Sequence, residues 1–467
     1  MNTQLIELLK KYDVPAPRYT SYPTVPVWTE KIGAGDYGQK LENLMYSSPV
    51  RERTGEALSL YYHLPFCERL CHFCGCMQVI TQRRERSQEY TDVLLSEMEL
   101  VAGHIPPSVR DVCQIQLGGG TPNFFKPEEI ETILRHIHKH FHVLPDAEIA
   151  IEMHPKTSTE SFCDKLRELK FNRISLGIQD FDPKVQELIY RFQSYETTRK
   201  MIDYLRGLGF DAFNFDLIYG LPGQSLKGWS KTLDRVLGLR PNRLAIYSYA
   251  HVPWVRPVQR SFKDSDIPPA EMKLKLFEKA YTTLTENGYR HIGMDHFALK
   301  DDGLSTALEE GTIHRNFMGY STKAHAHQIG FGMSSISFAG GHYFQNSKEL
   351  PAYYEAIKRG ELATFRGYLL NHEDRLRRDL ITQIMCRSSV DIEAFEKKWQ
   401  IQFQTHFADN IPLLSEMMAD QLVSINHNEL RATNYGVLLL RNIAMAFDPY
   451  LQRVKEGAKN PVFSRSV

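Results

Sequence analysis

Between residues 55 and 250 the chain repeats one pattern six times over: a short apolar run followed by a longer amphipathic stretch. The apolar runs are LSLYYH (58–63), VCQIQL (112–117), AEIAIEM (147–153), RISLGI (173–178), AFNFDLI (212–218) and RLAIYSY (243–249). Stretches such as SQEYTDVLLSEMELVAG and PEEIETILRHIHKHF lie between them, with helical spacing and acidic residues near their starts. Strands that alternate with helices pair in parallel through right-handed crossovers, because the chain must return along the sheet before the next strand can begin. The expected fold is α/β, a partial TIM-like (β/α)6 barrel. In such a barrel the chemistry collects at the C-terminal ends of the strands.

The chemically unusual residues fall at those ends. Cys67, Cys71, Cys74 and then Cys76 follow the first run, and Gly118-Gly119-Gly120-Thr121-Pro122 follows the second. Glu152 closes the third, Gln179 and Asp180 follow the fourth, Asp216 closes the fifth, and Ser248 to His251 end the sixth. Three thiols spaced C-x3-C-x2-C on one short loop can hold three irons of a 4Fe-4S cube and leave the fourth open to a ligand. Structural zinc sites divide their ligands into pairs from separate segments, which makes zinc the weaker reading. The glycine run removes side chains where backbone must approach a ligand, and its carbonyls and the Thr121 hydroxyl can meet an ammonium group. The chain has seven cysteines, and the scattered Cys113, Cys163 and Cys386 are expected to be packing residues, not disulfide partners.

Lys plus Arg total 56 and Asp plus Glu total 56, so no net field draws nucleic acid or an anionic membrane from a distance. Glu7, Lys10 and Lys11 break the apolar core that a secretory leader needs, and no run approaches the length of a membrane span. The expected compartment is the cytoplasm, without membrane attachment. Residues 1–50, with the Pro- and Tyr-rich PRYTSYPT (17–24), read as a non-helical covering segment. Residues 51–365 read as the catalytic domain. Residues 366–467 read as a small, mostly helical, winged-helix-like domain without a concentrated basic face, hence a lid and not a nucleic-acid module.

Phe73 before the last cysteine of the triplet, and the glycine run after the next strand, resemble the signature of the radical S-adenosylmethionine (radical SAM) superfamily. HLPFCERLCHFCGC, GGGTP, IEMHP, GIQDF, NFDLIYGLPGQ, YSYAHVP, GMDHFA, HRNFMGY and PRYTSYPT together resemble the oxygen-independent coproporphyrinogen III oxidase family over essentially the whole chain. The resemblance implies a radical-SAM barrel that oxidatively decarboxylates two propionates of coproporphyrinogen III to vinyl groups, giving protoporphyrinogen IX in haem biosynthesis. Hydrogen abstraction by a 5'-deoxyadenosyl radical would begin the reaction.

The same resemblance implies one 4Fe-4S cluster on Cys67, Cys71 and Cys74, and two S-adenosyl-L-methionine molecules. Tyr61, Gly119, Glu152 and Ile336 would contact the first; Phe73, Gly120, Thr121, Gln179, Arg191, Asp216 and Ala250 the second. Glu152 and Asp216 suit ribose hydroxyls or an ammonium, and Arg191 suits a carboxylate. Taken alone, either carboxylate would read as a helix cap or an ion-pair partner. Tyr190 and Phe192 are bulkier than the resemblance leads one to expect beside Arg191, and His154 and His327 stand where it implies acidic residues. Cys76 is not counted as a cluster ligand, since capping the last iron would shut out the cofactor. Arg18, Tyr19, His314 and Arg315 are candidate anchors for the propionates. An electron donor and an electron acceptor are implied partners, and Arg83-Arg84-Glu85-Arg86 reads as a solvated face, with donor docking as the alternative. A haem-trafficking chaperone is disfavoured by the presence of Gly75-Cys76 and PRYTSYPT, whereas a haem-degrading methyltransferase is not separated by motifs alone. A monomer is the default expectation.

Overall fold

The computed structural model describes residues 3–45, 57–323, 327–457 and 461–466. Six strands, β1 (Leu58–Leu64), β2 (Asp111–Gly119), β3 (His142–Met153), β4 (Arg173–Gln179), β5 (Phe213–Tyr219) and β6 (Arg243–Ser248), lie side by side in chain order. All neighbours are parallel. Both faces of these strands are covered, as in β1, where Leu58, Leu60, Tyr62 and Leu64 on one face and Ser59 and His63 on the other are all buried. The crossovers carry α1 (Glu85–His104), α2 (Pro127–His140), α3 (Glu160–Glu168), α4 (Tyr195–Gly207) and α5 (Leu226–Leu239). Three of these helices start on hydroxyl caps: Thr159, Ser194 and Ser225 accept from the amides of Phe162, Thr197 and Gly228.

The sheet does not end at β1. A further strand, β7 (His327–Phe331), runs parallel to it, with Leu58 opposite His327 and Tyr62 opposite Phe331. Antiparallel strands β8 (Ile336–Ala339), β9 (His342–Asn346) and β10 (Thr364–Tyr368) continue outward. The partial TIM-like barrel is as expected, but the sequence pattern stops at six strands because residues 255–365 lack strand–helix alternation.

A buried carboxyl fastens this extension to α1. Glu97 accepts from the Gly332 amide at 2.6 Å, the Tyr353 hydroxyl at 2.7 Å and the Asn346 side-chain amide at 2.5 Å. Burial nevertheless pushes its carboxyl up to about 7. A carboxyl whose folded value exceeds its unfolded value stabilises the fold fully below the unfolded value, and that contribution is lost as pH rises through the folded one. Raising the pH from about 5 to about 8 is therefore expected to lower the melting temperature more in the native chain than in Glu97→Gln, a difference that calorimetry reads directly.

The chain divides into two compact units: Thr29–Pro268 with Lys323–Leu369 carries the strands above, and Met1–Trp28, Pro269–Thr322 and Leu370–Val467 form the other. In the latter, Leu5, Leu8 and Leu9 pack with Leu376, Leu380, Ile384, Phe403, Phe407 and Phe447. The buried guanidinium of Arg441 donates to the carbonyls of Ala16, Pro17, Ser464 and Arg465, tying both chain ends together. PRYTSYPT itself forms no helix, but helices Thr3–Lys11 and Ala34–Glu42 flank it, which corrects the expectation of a helix-free N-terminal segment. The Pro-rich composition is local, and LIELL ahead of it places leucines at helical spacing. Near the other end, Ser389–Asp391, Glu429–Ala432 and Val423–Ile425 form a three-stranded antiparallel sheet among short helices, as a winged-helix-like reading requires. The expected boundary at residues 50 and 51 lies outside the described residues. No described helix is long and apolar enough to cross a membrane.

Candidate active site

Just past β1 the chain leaves the sheet and returns. Phe66–Cys67 pairs with Val79–Ile80, and the amides of Val79 and Thr81 donate to the carbonyls of Pro65 and Cys67 at 2.8 and 2.9 Å. The cysteine loop is thus an excursion clamped at its base. Cys67 Sγ lies 3.2 Å from Thr121 Oγ1, and the thiols of Cys67 and Cys74 donate to Gln78 Oε1 at 3.7 and 3.6 Å. Arg191 Nη1 reaches Cys71 Sγ at 3.6 Å, so a cation borders the thiols where negative charge would gather. Burial pushes the Cys67 thiol up to about 11, while a hydrogen bond from Cys76 holds the Cys74 thiol below its usual range. All three are free thiols, and with Cys76 beside them they line one pocket, a donor set that fits a three-thiolate cluster.

The glycine run packs directly under that loop. The Gly120 amide donates to the Leu64 carbonyl at 2.9 Å and the Thr121 amide to the Phe66 carbonyl at 3.0 Å. A Cβ on Gly120 would sit 2.5 Å from the Pro65 carbonyl oxygen, and one on Gly118 would sit 2.6 Å from Glu152 Oε1. Gly119 has φ +112°, where side chains are strained. Glu152 accepts from the Gly119 amide at 3.1 Å and from Gln116 Nε2 at 3.2 Å, and burial raises its carboxyl. Burial first, and then the charge of Glu152, push Asp216 up to about 7, with Asn214 donating to it at 3.1 Å.

Tyr61 stands beside this pair. His63 Nε2 lies 2.9 Å from the Met77 carbonyl and so must carry the proton, leaving Nδ1 to accept from the Tyr61 hydroxyl at 3.0 Å. Burial keeps this imidazole neutral, lowering it to about 4.

Arg191 enters because the chain turns sharply at Tyr190, with φ 55°, after the short helix Pro183–Leu188. Its Nη2 donates to the Gly177 carbonyl at 2.6 Å, and its Nε is buried without a partner. Tyr190 and Phe192 are 43% and 40% exposed, and Tyr190 stacks on His72 at 5.4 Å. Their bulk therefore sits on the rim and leaves the arginine pointing inward.

Cys67, Cys71, Cys74, Phe73, Gly119, Gly120, Thr121, Glu152, Gln179, Arg191 and Asp216 all line this one pocket. Tyr61, Ala250 and Ile336 are not in its wall. Tyr61 is linked to it through His63, which packs against Gly119. Ile336 lies across Gly330, the residue opposite Tyr61, where a Cβ would meet the Ile336 carbonyl oxygen at 2.6 Å. Ala250 follows β6, its carbonyl accepting from Gln259 at 3.3 Å. Arg84, expected on a solvated face, instead lines the pocket and donates to the Phe124 carbonyl and Glu68, and the pocket also takes in residues that sequence reasoning passed over: Gln78, Ser175 and Gly177. Of these only Gly177 left a signal, a glycine inside a strand. His154 lines the pocket too, and burial holds it well below the usual imidazole range. Arg18, Tyr19, His314 and Arg315 belong to the other compact unit, where Arg18 pairs with Asp295 and the Tyr19 hydroxyl donates to Asp448 at 3.0 Å.

Residues 61–236 match the Radical SAM superfamily, and residues 370–439 match the HemN C-terminal domain. The oxygen-independent coproporphyrinogen III oxidase of Salmonella typhimurium is 39% identical over 464 residues, covering 99% of this chain and 98% of that protein. The enzyme of that name from Pseudomonas aeruginosa is 40% identical over 447 residues, covering 95% of each chain. The solved structure of coproporphyrinogen III oxidase (HemN) from Escherichia coli, a radical SAM enzyme, superposes with a TM-score of 0.88 at 38% identity, covering 95% of this chain and 98% of that one. With three free thiols, a glycine cradle and buried acceptors converging at the strand ends, this full-length likeness shows that the chain belongs to the oxygen-independent coproporphyrinogen III oxidase family of the radical SAM superfamily.

Proposed function

We propose that this chain oxidatively decarboxylates two propionates of coproporphyrinogen III to vinyl groups, yielding protoporphyrinogen IX for haem synthesis. The observation that carries the reading is the meeting of Cys67, Cys71 and Cys74 with Glu152, Arg191 and Asp216 in one pocket of a chain alike over its full length to enzymes of that name. Cys67, Cys71 and Cys74 hold a 4Fe-4S cluster. With S-adenosylmethionine bound, that cluster supplies one-electron cleavage of a carbon–sulfur bond and hence hydrogen-atom abstraction from an unactivated carbon.

The protein's own work is capture and orientation. One S-adenosylmethionine is contacted by Tyr61, Gly119, Glu152 and Ile336, and a second by Phe73, Gly120, Thr121, Gln179, Arg191, Asp216 and Ala250. The bare backbone at Gly119 and Gly120 lets a ligand lie flat on the loop, while Glu152 accepts from an ammonium or a hydroxyl. The unpartnered Nε of Arg191 suits a carboxylate oxygen. An electron donor and an acceptor complete the reaction, and the protein works as a monomer.

Anaerobic protein given reductant, S-adenosylmethionine and coproporphyrinogen III is expected to release protoporphyrinogen IX, read by chromatography after oxidation. Tight haem binding without turnover would replace this reading with a haem-carrying role.

A further inference from the structure

A second group of metal-binding side chains lies away from the pocket, in the helical layer between α1 and α2. His136 and His140 are one turn apart on α2 and share a face, and Glu99 of α1 lies against them. Glu99 Oε1 is 3.3 Å from His136 Nε2 and 3.9 Å from His140 Nε2. The three ligand atoms all lie within 4.8 Å of one another. Ligand atoms around a tetrahedral zinc, with bonds of about 2.0–2.1 Å, are separated by ~3.3 Å, so small ring rotations close the set.

Both imidazoles bring Nε2 close to the Glu99 carboxylate. Both Nε2 atoms are shut off from solvent and make no hydrogen bond. Glu99 is near both nitrogens but in no hydrogen-bonding alignment with them, and a metal would give each a directed partner. Burial and the Lys139 ammonium lower both imidazoles, Arg110 adds to this at His140, and Lys139 keeps Glu99 ionised. Lys139 Nζ now sits 3.1 Å from Glu99 Oε1, on a side chain that is 61% exposed and free to swing away.

We propose that Glu99, His136 and His140 form a binding site for a zinc-class divalent cation, with three protein ligands and a fourth position for water. The ion clips together the helices before and after β2, the strand that ends in the glycine run. Nitrogen and carboxylate donors without thiolate favour zinc, cobalt or nickel over iron–sulfur chemistry.

The test uses anaerobic protein carrying its iron–sulfur cluster, dialysed against buffered zinc at neutral pH and analysed for both metals. The native chain is expected to hold one zinc per chain more than a variant with His136→Ala and His140→Ala, at equal iron content. Glu99→Gln, a half-exposed change that leaves the core alone, should weaken zinc binding by about tenfold or more. Lys139→Gln, which removes the competing ammonium, should tighten it several-fold. Cobalt at the site should show visible d–d bands without a thiolate charge-transfer band. Equal zinc in the native chain and Glu99→Gln, or a cobalt spectrum dominated by thiolate, overturns the proposal.

Discussion

Cys71→Ser is expected to lose iron and turnover together, with iron falling from about four per chain toward zero and vinyl formation falling to background. A serine hydroxyl is not ionised near neutral pH, so the loop keeps two soft anionic ligands where three are needed. The choice of position matters. Cys67 is buried against Thr121, whereas Cys71 is only half-buried, so replacing its sulfur with oxygen leaves the hydrophobic core untouched. The metal-free variant should therefore melt at the temperature of the metal-free native chain. Iron analysis, Mössbauer spectra and product chromatography on one anaerobic preparation read all three outcomes. Full iron and normal turnover in the variant would remove the basis for a three-thiolate centre.

Gly120→Ala is expected to cost about 1–3 kcal/mol of stability and most of the S-adenosylmethionine affinity. The new methyl would sit 2.5 Å from the Pro65 carbonyl oxygen and 2.9 Å from that of Phe66. Neither carbonyl can retreat. Pro65 accepts from the Val79 amide at 2.8 Å and Phe66 from the Thr121 amide at 3.0 Å, bonds that also anchor the cysteine loop. The glycine run must move instead, which tilts Gly119 and Thr121 away from the pocket they line. Gly75→Ala is the matched control, because nothing lies within 4 Å of its added methyl. Denaturant midpoints and equilibrium binding of S-adenosylmethionine should separate the two variants clearly, and identical behaviour would show that the cradle does not depend on close backbone contact.

The barrel was legible wherever both faces of a strand are covered. LSLYYH became Leu58–Leu64 and RISLGI became Arg173–Gln179, each within a residue of its expected end. One start was misjudged: the third strand begins at His142, not 147, because HVLPD, exposed or half-buried throughout and with a proline inside it, carries no clear strand signal. Its pairing with β2 breaks register between Val112 and Gln114 at that point. Strand β9, HYFQN, was hidden for the opposite reason. It is buried yet polar, and its amides are satisfied far away in sequence, Gln345 by Arg366 and Asn346 by Glu97. No local pattern announces a polar strand whose partners lie elsewhere.

Covalent spacing and periodicity are properties of the chain itself. They determined the three-thiol loop, the glycine run after the second strand, and the row of strand ends where chemistry gathers. Tertiary packing alone decided which side chains close the pocket: Arg191 against Cys71, 120 residues away, Gln78 between two thiols, and Tyr61 aligned by the His63 tautomer. The same holds for Glu99 meeting His136 and His140 across two helices. Hydrogen bonds and ion pairs act over a few ångströms of space, and only the folded sheet brings residues so distant in sequence within that reach.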